Sequence, residues 1–87
     1  MKKYYRVEKT VATTGTTNAL FEYTDYDSAL VAVYMATASA ISNPDVFSSL
    51  GMILDRTGSV YKKEYWERSG MPDPENPDIP APVIEDK

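Results

Sequence analysis

Residues 26–44 read Tyr26-Asp27-Ser28-Ala29-Leu30-Val31-Ala32-Val33-Tyr34-Met35-Ala36-Thr37-Ala38-Ser39-Ala40-Ile41-Ser42-Asn43-Pro44. Leu30, Val33, Tyr34, Thr37 and Ile41 recur at three- and four-residue steps and form one stripe of an α-helix. Ala29, Ala32, Ala36 and Ala40 form a second stripe, and Val31, Met35 and Ala38 a third. Thr24 or Asp25 can cap the start, its side-chain oxygen accepting an early backbone N–H, and Asp25 and Asp27 suit the positive end of the helix dipole. Asn43-Pro44 ends it, because proline disfavours helical backbone at the residue before it. The spacing therefore predicts a helix over residues 26–42. No charge occurs between Ser28 and Pro44. A helix with one side in water normally carries charges there, so this one is expected to be covered on more than one face, in so short a chain by a second copy.

On the N-terminal side of the helix, Lys3 to Thr13 alternates. Tyr5, Val7 and Val11 form an apolar side broken by Lys9, and Tyr4, Arg6, Glu8 and Thr10 form a polar one, the period of a half-buried strand. Thr14-Gly15-Thr16-Thr17 supplies a turn, and Ala19, Phe21 and Tyr23 continue a second strand with Glu22 facing outward. On the C-terminal side, Leu50, Met52 and Leu54 alternate with Ser49, Gly51 and Ile53 in a well-covered strand. Asp55-Arg56-Thr57-Gly58 then makes a hairpin connection, with Gly58 in the left-handed position of a bulge. A last strand, Val60 to Glu67, alternates Tyr61, Lys63 and Tyr65 with Lys62, Glu64 and Trp66. The pattern is α+β: ββαββ, a four-stranded antiparallel sheet with one helix.

The chain has 87 residues and a mass of 9.7 kDa, enough for one small domain. It contains neither Cys nor His, which excludes disulfide scaffolds, zinc knuckles, thiol nucleophiles and imidazole acid-base chemistry. The net charge of −4 lies in residues 71–87, which also hold five of the six prolines. Residues 1–70 are thus read as a compact domain and residues 71–87 as an acidic, Pro-rich disordered tail. The neutral balance of residues 1–70 disfavours long nucleic acid as a partner, whose affinity rests on many phosphate contacts. Met1-Lys2-Lys3 runs into Tyr4, Tyr5 and Arg6 without the apolar region of a secretory signal, and the stretch from Ser28 to Pro44 is too short and polar to span a bilayer. No membrane partner is expected. A core of about seventy residues without disulfide or metal is thin, which adds to the expectation of a homo-oligomer, dimer or higher.

Three constellations bear on chemistry. Asp25-Tyr26-Asp27 lacks the oxygen-rich loop of a calcium site, so no metal and no cofactor are expected. Glu8 and Glu22 could face each other across the first hairpin, but both sit where solvated ion pairs are ordinary, and an enzyme is not expected. Aromatic and basic residues interleave near both ends of the sheet, a surface suited to stacking a base and pairing a few phosphates. On this reading Arg6, Arg56 and Lys62 pair phosphate, Tyr4 and Tyr65 stack a base, and the turn of Thr14, Gly15 and Thr16 donates hydroxyl and N–H groups.

Val7 to Gly15, Ala38-Ser39-Ala40-Ile41-Ser42-Asn43-Pro44 and Asp55-Arg56-Thr57-Gly58-Ser59-Val60-Tyr61 resemble a short uncharacterised protein family of tailed phages and prophages of Gram-positive bacteria. The resemblance covers residues 4 to about 68 and carries no site residue. It implies a small phage accessory protein acting in the host cytoplasm. Joined to the residue reading, it suggests counter-defence by sequestering a small nucleotide-type signal. The alternatives are direct inhibition of a host defence protein and a structural role in the virion or tail.

Overall fold

A computed structural model describes residues 2–76 of the chain. In order these residues form β1 (Tyr4–Ala12), β2 (Gly15–Tyr23), α1 (Tyr26–Ser42), β3 (Val46–Asp55) and β4 (Val60–Glu67). The four strands make one antiparallel sheet in the order β2-β1-β3-β4, a ββαββ arrangement of the α+β class. The helix has the bounds its apolar spacing predicts. Asp25 is its cap, its carboxylate accepting from the Ser28 backbone N–H at 2.9 Å and the Ser28 hydroxyl at 2.8 Å. The connection between β1 and β2 lies one step earlier than its glycine suggests: Ala12 pairs with Gly15, so Thr13 and Thr14 turn the chain and Thr16 is already strand.

Because β1 runs antiparallel to both of its neighbours, β2 and β3 are parallel, and α1 joins them by crossing over β1. Connections of this kind have one strongly favoured hand, so the strand order itself selects the face on which the helix lies. Here that face carries Tyr4, Arg6 and Glu8, not the apolar side made by Tyr5, Val7 and Val11. This corrects the expectation from β1 alone. The reason lies in β3, which turns Ile53, Gly51 and Ser49 toward the helix and the bulkier Leu50, Met52 and Leu54 away from it. A Cβ at Gly51 would lie 3.4 Å from Val33 Cγ1, so the space between strand and helix there takes no side chain beyond a methyl group. Ala29, Val33 and Ile53 form the sealed centre, with Tyr4, Tyr23, Tyr26 and Leu30 packed around it.

Arg68 ties the other end of the helix to the sheet. Its guanidinium donates to the carbonyls of Ile41 at 3.0 Å, Asn43 at 2.9 Å and Val46 at 2.9 Å, and it stacks 4.7 Å from the Trp66 ring. A helix with no basic residue in its last turn thus receives, from the residue that follows β4, the positive charge that its exposed carbonyls favour.

Two apolar surfaces remain. Val31, Met35 and Ile41 on α1 are exposed, and Tyr34 is half exposed beside Lys62, so the described residues cover the helix on one side only. The sheet face away from the helix carries Tyr5, Val7, Leu20, Met52 and Leu54. The segment after Arg68 crosses one end of this face. Glu75 accepts from the Thr16 hydroxyl at 2.8 Å and pairs with Lys9 at 3.6 Å. Burial, then the nearby Glu67, raises the Tyr65 pKa, and the charge of Asp73 adds to that rise. The first six residues of the expected tail are therefore held against the sheet. The remainder, residues 77–87, lies outside the described residues.

If the helix rests on Gly51, substitutions there should be graded by size. Gly51→Ala meets Val33 at ordinary contact distance and should be tolerated, whereas Gly51→Leu should cost about 1–3 kcal/mol in urea unfolding through overpacking.

Candidate ligand site

The pairing of Tyr4 with Asp55 brings the start of β1 beside the end of β3, at the edge where α1 begins. Between the pairs Ile53–Lys62 and Leu54–Val60 the register shifts and Tyr61 is the extra residue. Its ring meets Tyr4 at 5.6 Å and Tyr26 at 6.2 Å, while Tyr4 and Tyr26 lie 5.7 Å apart, all edge to face. The Lys2 ammonium sits over this group, 5.2 Å from the Tyr61 centroid and 5.6 Å from that of Tyr4. Next to it Lys2, Lys3, Asp55, Arg56 and Thr57 line a shallow cleft of about 240 Å³.

Asp55 organises this end. One carboxylate oxygen accepts from the Thr57 N–H at 2.8 Å, the Thr57 hydroxyl at 2.5 Å and the Ser59 N–H at 3.1 Å, and the other accepts from the Tyr61 hydroxyl at 2.9 Å. Gly58 closes the turn with φ of +91°, the left-handed geometry its sequence predicts. The hydroxyls of Thr57 and Tyr61 lead in holding the Asp55 pKa down, from an ordinary 3.8 to about 2. Its charge is thus spent on the turn and on orienting Tyr61. Lys3 pairs with Glu22 at 3.5 Å, and Arg56 has no ion pair among the described residues. The cleft therefore presents Lys2 and Arg56 without an ion pair among the described residues, and Lys3 shared with Glu22, beside exposed aromatic surface, with Tyr61 43% accessible. Such a place can pair a compact anion and stack a planar ring.

Of the eight residues that the sequence nominates, the structure brings Tyr4 and Arg56 to this end and sets the others elsewhere. Arg6 lies under the helix, 7% exposed, donating to Glu8 at 2.6 Å and to the Tyr23 hydroxyl at 3.2 Å and stacked 4.1 Å from the Phe21 ring. Lys62 pairs with Glu64 at 3.3 Å and covers the Tyr34 ring. Tyr65 is on the opposite face, bonded to Glu67 at 2.7 Å. Thr14, Gly15 and Thr16 occupy the far end of the first hairpin, roughly 26 Å along the strand from Tyr4. Lys2, Lys3, Tyr26 and Tyr61 join the site only because β1 pairs with β3, a neighbour relation that no local pattern announces. Arg56 was the available signal, one position beyond Asp55.

The two carboxylates considered for acid-base work do not meet. Glu8 pairs across the ladder with Ala19 and points to the helix side, whereas Glu22 pairs with Tyr5 and lies on the other face. Among the described residues no group of three or more acidic side chains could hold a metal ion, and no helix is long and apolar enough to cross a membrane. A second groove, of about 310 Å³, runs between the C-terminal half of α1 and the sheet, where Ala36, Ser39 and Asn43 face Glu8 and Thr10. Its one charge, Glu8, is already neutralised by Arg6. Comparison of the chain with protein-family models, curated proteins and solved structures finds no match.

Two measurements check these assignments. Because the folded Asp55 pKa lies below its unfolded value, its contribution to stability should be complete above about pH 4 and disappear as pH falls toward 2; a carboxyl NMR titration should give a midpoint near 2. Arg6→Ala should cost about 1–3 kcal/mol in urea unfolding, since it strips the partner from a largely buried Glu8.

Proposed function

We propose that the chain is a non-enzymatic, homo-oligomeric phage accessory protein that binds a small nucleotide-type anion at the Lys2–Lys3–Arg56 cleft and thereby withholds a signalling nucleotide from host defence. The observation that carries this reading is the Lys2 ammonium seated over the Tyr4 and Tyr61 rings at the edge of a cleft that Lys3 and Arg56 also line. A ligand with two or three phosphates needs only a few cations, which this cleft offers without a strongly basic chain. Tyr61, held by Asp55, presents a fixed ring for a base, so less ordering is needed on binding. Sequestration asks for retention without turnover, and this cleft contains cations, hydroxyls and a carboxylate already bound into a turn.

The exposed helix stripe of Val31, Tyr34, Met35 and Ile41 favours a second reading, docking onto a host protein.

A panel of linear and cyclic nucleotides followed by thermal melting should contain a member that raises the melting temperature and is recovered chemically unchanged. Lys2→Ala and Arg56→Ala should each weaken that ligand by about 1–3 kcal/mol in calorimetry, while Thr14→Ala and Tyr65→Ala, far from the cleft or on the other face, should leave it unchanged. No stabilisation across the panel would favour the host-protein reading, and a hydrolysed ligand would show an enzyme.

A further inference from the structure

The sheet face opposite α1 is built in two zones. At one end the 71–76 segment crosses it, anchored by Glu75 on Lys9 and Thr16. Beyond that crossing stand two rows that the 71–76 segment does not reach: Glu22, Tyr5, Leu54 and Val60, then Leu20, Val7, Met52 and Lys63. The centres of these rows are apolar, and their outer members are well exposed, Leu20 at 67% and Val60 at 54%. Charges of opposite sign stand on opposite edges, Glu22 on β2 and Lys63 on β4. Lys63 has no ion pair among the described residues, and the Lys3 ammonium meets Glu22 through Oε1. An apolar centre with a charged rim is the anatomy of an association surface.

The placement of the charges says what fits. When two such sheets face each other about a two-fold axis parallel to the strands, the strand order reverses across the contact, and the β2 edge of one copy lies over the β4 edge of the other. Glu22 then stands within one row of the partner's Lys63, twice by symmetry, while Leu20, Met52 and Leu54 close the apolar centre. The surface is self-complementary in sign as well as in polarity. We propose that this open face is where a second copy of the chain packs, sheet against sheet, with Glu22 of each copy against the partner's Lys63. The proposal rests on the homo-oligomer reading above and names the surface that makes it.

Sedimentation and light scattering on the full chain test it. The wild type should have twice the 9.7 kDa chain mass at micromolar concentration, and Met52→Glu should be a folded monomer. Glu22→Lys and Lys63→Glu, both at the exposed rim, should each weaken the dimer at least tenfold, and the double variant should recover most of that loss; this pair decides the matter if Met52→Glu fails to fold. A wild-type monomer at hundreds of micromolar would overturn both this proposal and the homo-oligomer reading, leaving the face to residues 77–87 or to a different protein. A dimer that survives Met52→Glu and both rim variants but is lost in Met35→Glu would overturn the sheet-face proposal alone and move self-association to the helix.

Discussion

Val33 rests on Gly51, and the remaining architecture is arranged around that contact. The helix must return the chain from the end of β2 to the start of β3, with β1 between them, and it does so on the face where β3 is smallest. A residue larger than alanine at position 51 would lift the helix from Ile53 and open the sealed centre formed with Ala29 and Val33. The contact lies on the face that the crossover assigns to the helix, and the other side of every strand faces away from it.

That choice has a cost in polarity. The covered face includes Arg6 and Glu8, so a charged pair lies beneath the helix, made acceptable by the short guanidinium–carboxylate contact, the Tyr23 hydroxyl and the Phe21 ring. The uncovered face keeps Tyr5, Val7, Leu20, Met52 and Leu54. A domain of this size ordinarily places its apolar side inside, and the reversal leaves that apolar side facing away from the helix. The same geometry gathers Tyr4, Tyr26 and Tyr61 where the helix begins, so the proposed ligand cleft and the proposed dimer surface are consequences of one packing decision.

Much of the fold could be read locally. The helix bounds follow from Asp25 and from Asn43-Pro44, and the second hairpin from Asp55 and Gly58, because caps and turns are settled by residues within four positions of one another. What could not be read depends on strands distant in sequence. The apolar alternation of β1 names two faces without saying which one the helix takes, and only the β1–β3 pairing reveals it. The candidate site divides in the same way. Tyr4 and Arg56 were legible as an aromatic and a cation near strand ends, whereas Lys2 and Tyr61 become neighbours through sheet order and a bulge. Arg6 lies apart from this cleft, and its sequence does not show this, because arginine among tyrosines has the same sequence signature whether it awaits a phosphate or pairs with a half-buried glutamate. Tyr65 lies apart from it too, because one residue's parity on β4 moves it to the other side of the sheet.

The most direct measurement is the nuclear Overhauser pattern of the Val33 methyl groups in the full-length chain. Strong cross-peaks to the Gly51 α-protons and to Ile53 are expected, with none to Val7 or Met52. Val33 cross-peaks to Met52 and Val7 would place the helix on the apolar face, bury the proposed dimer surface within one chain and contradict the account at its base.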